Sequence, residues 1–180
     1  MVILYDFFKK YFCLNFSQMK SKTDKRFFFE TDLNWIGDKK GILTSKDTHG
    51  PISVNVPPEF GGVEKDWTPE HLFLSAISSC YMTTFLLFVN KMNLELSHFE
   101  CKTIGEIEMV NGKYQFSKVD LYPKIFVTDT ETKQKIFAAI EKANKYCIVS
   151  NSINASIYYH TEIIIETLRR NKVIAANTKE

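Results

Sequence analysis

Two cysteines stand where a thiol could do chemistry: Cys80, in "SAISSCYMTTFLLF" (75–88), and Cys147, in "ANKYCIVSNSI" (143–153). Only a thiolate is nucleophilic, and a sulfenic acid stays reversible when a second thiol is near enough to capture it. Two cysteines facing one pocket would therefore make a redox pair. Each also sits in an apolar helical stretch, where free cysteine usually behaves as a small buried hydrophobe. Residue types alone leave both readings open; a reason for two elements to present their thiols to one place would decide between them.

Cys13 and Cys101 complete the set. Cys101, in a strand, reads as core. Four cysteines without a secretory signal do not read as a disulfide framework, and no CxxC or CxxH pair opens a zinc site. There is no phosphate-binding glycine loop, Ser-His-Asp signature or metal-spaced cluster, so neither a cofactor nor a metal is expected.

The elements that must position the thiols are punctuated clearly. "WTPEHLFLSAISSCYMTTFLLFVNKMNL" (67–94) opens with Thr68 as N-cap, Pro69 at the first helical position and Glu70 in the first turn, which predicts a helix over about 69–91. Leu72, Ala76, Ile77, Cys80, Thr84, Leu87 and Phe88 share one face, yet Phe73, Phe85 and Leu86 make the other side apolar too. Such a helix belongs at the centre of a fold or in a dimer interface. "DTETKQKIFAAIEKANKYC" (129–147) predicts an amphipathic helix with Ile136, Ile140, Ala143 and Cys147 on the buried stripe.

Strands surround these helices. Residues 26–56 alternate, with turn signals at "IGDKKG" (36–41) and "DTHGP" (47–51), as a small antiparallel meander. "VPPEFGGVEKD" (56–66) reads as an exposed loop whose Glu59 and Glu64 are solvated charges. Residues 96–128 alternate on both sides of Asn111-Gly112, predicting two long antiparallel strands, and "ASIYYHTEIIIE" (155–166) predicts a last one. The order βββ-α-ββ-α-β is an α+β domain. A single domain over 26–167 is expected, with residues 1–25 as an N-terminal extension and 168–180 as a polar tail. Met19 is an alternative start, which would make the first 18 residues a sequence extension or a loosely attached amphipathic segment.

Composition bounds the partners. The chain has 180 residues, enough for one domain with a core. Its 23 basic and 21 acidic residues are nearly balanced and the lysines are scattered, so nucleic acid is not an expected partner. Asp6, Lys9 and Lys10 interrupt the aromatic-rich N-terminus before it reaches the length of a signal-peptide core. The longest apolar run elsewhere, around Phe85 to Val89, is far below the ~20 residues of a membrane span. A cytoplasmic protein without a membrane partner is the default expectation.

The combination "TPEHLFLSAISSC", a long helix, an Asn-Gly hairpin and "ANKYCIVSNSI" resembles the OsmC/Ohr family, the osmotically inducible and organic-hydroperoxide-resistance proteins. In that family a "(N/S)PEE(L/M)…AA…C" helix start carries the peroxidatic cysteine and an "A…CPVS" segment the resolving one. Cys80 matches the first and Cys147 the second, with "CIVS" in place of "CPVS", and "NWIGDKKG" (34–41) is similar to the family's first hairpin. The resemblance spans about Phe27 to Glu166. It implies antiparallel sheets wrapped around two helices in an intertwined homodimer with active sites at the subunit interface. It also implies reduction of an organic hydroperoxide by Cys80, capture of the sulfenic acid by Cys147 as a disulfide, and an external dithiol reductant. The alternative it leaves is a non-catalytic protein of the same fold that binds a small lipophilic molecule in the interface pocket.

One departure concerns activation. Peroxidase members use a loop arginine, held by a glutamate in the first turn of the cysteine helix, to stabilise the thiolate. This chain has no arginine between Arg26 and Arg169, and the glutamate position falls on His71, with Glu70 just before it. Cys80 is about three turns into its helix, beyond the reach of the helix dipole. Lys65, a protonated His71 or Arg26 are the candidate replacements, although ~13 Å of helical rise keeps His71 from touching Cys80 along the helix. Trp67, Tyr81 and Tyr146 are candidates for the pocket mouth.

Overall fold

The computed structural model describes residues 25–62 and 65–166. The expectations for residues 1–24, Glu64 and the C-terminal tail lie outside them. The described residues fall into two compact units that part between Ser53 and Val54.

In the first unit β1 (Asp32–Gly37) and β2 (Lys40–Thr44) form an antiparallel hairpin. Gly37 and Asp38 take positive φ, as the turn requires. The Trp35 indole donates to the Asp38 carbonyl at 2.8 Å, pinning the turn. β3 (Ile52–Asn55), next to β2 in the sheet order β1-β2-β3, runs across the point where the units part. Leu33, Trp35 and Ile36 are exposed.

The second unit holds the long helix α1 (Pro69–Lys91), the hairpin β4 (His98–Val110) and β5 (Lys113–Val127), helix α2 (Thr130–Tyr146), and strands β6 (Ser156–Tyr159) and β7 (Glu162–Ile165). Asn111 and Gly112 both take positive φ at the hairpin turn, which only such residues accept readily. Both helices start where expected: Thr68 accepts from the His71 amide, and Asp129 accepts from the Thr132 amide at 2.7 Å.

One sequence expectation needs correction. The last strand is not one antiparallel element but two short strands, each parallel to β5. Register is unchanged across the gap, with Leu121 opposite Tyr159 and Lys124 opposite Glu162. The interruption lies opposite Pro123, which has no N–H to give to a ladder. The buried row of α1 is Ile77, Tyr81, Phe85 and Val89, drawn from both of the apolar sides read in the sequence, while Ala76 and Leu87 are exposed. A helix apolar nearly all round carries little angular signal, so the neighbours against which it packs select the face.

That row meets Val119, Leu121, Ile125 and Val127 of β5, and Ile136, Ala139, Ile140 and Ala143 of α2, in one core that Cys147 completes. By length and composition alone α1 could cross a membrane; here it supplies one wall of this core and packs on α2 and β4. Gly105 of β4 makes close packing possible, since a Cβ there would lie 2.6 Å from the Phe116 ring and 2.8 Å from a Leu74 methyl.

Candidate active site

Cys80 is half-buried at the end of the third turn of α1. Cys147 follows the last residue of α2 and is fully buried. Its amide still bonds the Ala143 carbonyl, as in the helix, but its ψ of 110° turns the chain out. The segment then tightens again: the Cys147 carbonyl accepts from the Asn151 amide at 3.0 Å and the Val149 carbonyl from the Ser152 amide at 3.0 Å. Ser150–Ser152 form a short 3-10 turn, tied back by Ser152 Oγ to the Ile148 carbonyl and Asn151 Nδ2 to the Lys145 carbonyl. The amides of Ile148, Val149 and Ser150 open this new turn and have no intrahelical partner, which frees them for an anion.

They are spent on the two sulfurs. Burial by itself pushes the Cys80 thiol up; against it stand hydrogen bonds from the Val149 amide, the Cys147 thiol, the Ile148 amide and the Thr84 hydroxyl one turn along α1. The donors win, and Cys80 titrates below the ordinary thiol value. Cys147 goes the other way. Burial pushes it up and the neighbouring Cys80 adds to that, while the hydroxyl and amide of Ser150 oppose them without prevailing. The Ser150 hydroxyl donates to Cys147 Sγ at 3.0 Å. The pair is therefore polarised, with the thiolate favoured at Cys80 and the thiol at Cys147.

The model of the family described as OsmC-like protein matches residues 62–162. The chain belongs to that family. An uncharacterized protein of Bacillus subtilis (strain 168), YmaD, is 20% identical over 146 residues, which cover 79% of this chain and 96% of YmaD. Among solved structures, an OsmC-like protein of unknown function from Vibrio cholerae superposes with a TM-score of 0.67 at 22% identity, over 77% of this chain and all of that one. An organic hydroperoxide resistance protein from Elizabethkingia anophelis, with crystallant-derived thiocyanate bound, gives 0.62 at 21% identity over 80% and 100%. The α+β architecture with two main helices is thus that of the OsmC fold.

In this OsmC-like chain the other residues singled out from sequence gather elsewhere. Glu70, His71, Trp67 and Lys65 stand at the N-terminal end of α1, roughly 15 Å of helical rise from Cys80. His71 is exposed, with Nδ1 3.0 Å from Thr68 Oγ1 and its ring edge-on to Trp67. Lys65 lies beside Trp67, His71, Pro58 and Asp66 on a cleft of about 390 Å³. Glu70 turns inward instead of His71: its Oε2 is buried without a hydrogen-bond partner among the described residues. It faces a second cleft of about 570 Å³, lined also by Phe60, Gly105, Ile107 and Tyr114. Arg26 belongs to the first unit. Tyr81 is not at a pocket mouth but fully buried, its ring 5.2 Å from that of Tyr159. Tyr146 is half-exposed against Phe88, and Cys101 packs on the edge of the core.

Sequence reasoning sought a side-chain cation for Cys80 and missed the amides of Ile148 and Val149, together with Ser150. The signal was present in "KYCIVS": a serine three residues after a cysteine at a helix end is the spacing of a new turn whose first amides are unpaired. Among the described residues no three His, Cys, Asp or Glu side chains converge as metal ligands.

Proposed function

We propose that this protein is a thiol-dependent peroxidase of organic hydroperoxides in which Cys80 attacks and Cys147 resolves. The observation that carries it is the opposite bias of two adjoining thiols, with Cys80 held low by backbone amides and Cys147 kept as the thiol. Family membership and the likeness to an organic hydroperoxide resistance protein support the same reading. The Cys80 thiolate attacks the outer peroxide oxygen, the O–O bond breaks, and the alkoxide leaves as an alcohol after taking a proton from water. Cys80 is then a sulfenic acid. Cys147 Sγ attacks the Cys80 sulfur, the S–O bond breaks, and water departs with the Cys147 proton. An external dithiol returns the disulfide to two thiols.

Amide donors here take the part that an arginine plays in other members. Their dipoles are fixed before the peroxide arrives, so little reorganisation is needed as charge develops. An apolar surround favours a peroxide with an organic tail, because the tail gains from leaving water. The protein acts as a homodimer, a reading supported by the large apolar residues Ile148, Phe137, Tyr146 and Leu87 left exposed near α1, α2 and the turn after α2.

The cleft beside Glu70, with Pro57, Phe60, Ile107 and Tyr114, favours a second reading, a non-catalytic protein that binds a small lipophilic molecule. Steady-state consumption of an organic hydroperoxide with a dithiol reductant separates the two. The peroxidase reading expects turnover that falls to background in Cys80→Ser. The binding reading expects no turnover in the wild type and ligand retention in Cys80→Ser.

A further inference from the structure

The polar chain that begins at Cys80 does not end at Cys147. Ser150 gives its hydroxyl proton to Cys147 Sγ at 3.0 Å, and its amide reaches the same sulfur. Tyr159 is held by β6, opposite Leu121 of β5, with its half-buried ring tilted against that of Tyr81. A serine hydroxyl has a single proton. That proton is committed to the Cys147 sulfur, so Ser150 stands as a donor on the sulfur that neighbours Cys80.

We propose that Ser150 is the positioning residue of the resolving step, holding the charge that develops on Cys147 Sγ as it attacks oxidised Cys80. The proposal rests on the peroxidase reading above. In this step the Cys147 S–Cys80 S bond forms and the Cys80 S–O bond breaks. The hydroxide leaves with the Cys147 proton as water, the Cys147 sulfur is oxidised, and the Cys80 sulfur is reduced from the sulfenic to the disulfide level. The titratable groups facing Cys147 are Cys80 and Tyr81 from α1 and Tyr159 from β6. All three disfavour a negative sulfur when they are themselves ionised. Burial also raises the Cys147 thiol, so the two donors of Ser150 are what ease its ionisation.

The test has two readouts. The first needs no peroxide: in a Cys80→Ser background, site-resolved alkylation of Cys147 is followed against pH by mass spectrometry. Adding Ser150→Ala moves its midpoint to higher pH, while Ser150→Thr, which keeps the hydroxyl, leaves it close to the parent. The second is a single turnover with an organic hydroperoxide in the presence of a sulfenic-acid trap. In Ser150→Ala the ratio of trapped Cys80 sulfenic acid to Cys80–Cys147 disulfide rises about tenfold, the worth of one hydrogen bond to a charged group. An unmoved alkylation midpoint with an unchanged trapping ratio overturns the proposal. Absence of both sulfenic acid and disulfide in every variant overturns the peroxidase reading instead, and the alkylation profile then still decides whether Ser150 governs Cys147.

Discussion

The Ser150 hydroxyl donates to Cys147 Sγ at 3.0 Å, and Cys147 and its neighbour Cys80 titrate in opposite directions. A sulfur biased toward thiolate thus stands beside one biased toward thiol. The difference arises from the turn after α2, where the amides of Ile148 and Val149 lower Cys80 and the hydroxyl and amide of Ser150 act on Cys147. Among the described residues, none of the groups that lower Cys80 is a side-chain cation.

Alkylation should therefore discriminate between the thiols by pH. Cys80 has a folded pKa below its unfolded one, so it stays reactive as pH falls past the ordinary thiol range and loses reactivity only through its lower folded value. By the same linkage, the stability contributed by its thiolate is complete above the unfolded pKa and is lost as pH drops through the folded one. Cys147 is modified later, at higher pH. Cys147→Ala removes one donor and moves the Cys80 midpoint up. Equal midpoints, or Cys147 reacting first, would contradict the assignment.

Gly105 should not tolerate a methyl group. Gly105→Ala sets its Cβ against Phe116 and Leu74, and Phe116 cannot swing away freely because it stacks on Phe73 with centroids 4.5 Å apart. Overpacking of this kind costs about 1–3 kcal/mol. The loss is read as a fall in Tm of ~2–4 °C per kcal/mol in thermal denaturation.

Thr68 caps the helix that carries Cys80, and it is almost fully buried. Thr68→Ala removes the acceptor for the His71 amide and costs about 1 kcal/mol in denaturant unfolding, while Thr68→Ser keeps most of it. Equal stability of Thr68→Ala and wild type would show that the cap contributes nothing.

Local punctuation made much of this readable in the sequence. Thr68, Pro69 and Glu70 marked the start of α1, and Asn111-Gly112 the hairpin, because caps and turns are decided by residues adjacent in the chain. The face of α1 was not readable, since Phe73, Phe85 and Leu86 are as apolar as the residues opposite and only tertiary packing chooses among them. The break between β6 and β7 depends on Pro123, which lies on another strand. At the site, Cys80 and Cys147 were legible as side chains in recurring contexts. Their activation was not, because backbone amides leave no residue type in the sequence to mark them; their availability follows from a turn geometry that begins at Cys147.

The most direct measurement is peptide mass spectrometry of the full chain after one equivalent of an organic hydroperoxide, with free thiols blocked before digestion. The account predicts a Cys80–Cys147 disulfide in the wild type, Cys80 sulfenic acid in Cys147→Ser, and an unoxidised Cys147 in Cys80→Ser. A wild type in which both cysteines stay reduced, or in which Cys147 is oxidised without Cys80, would contradict it.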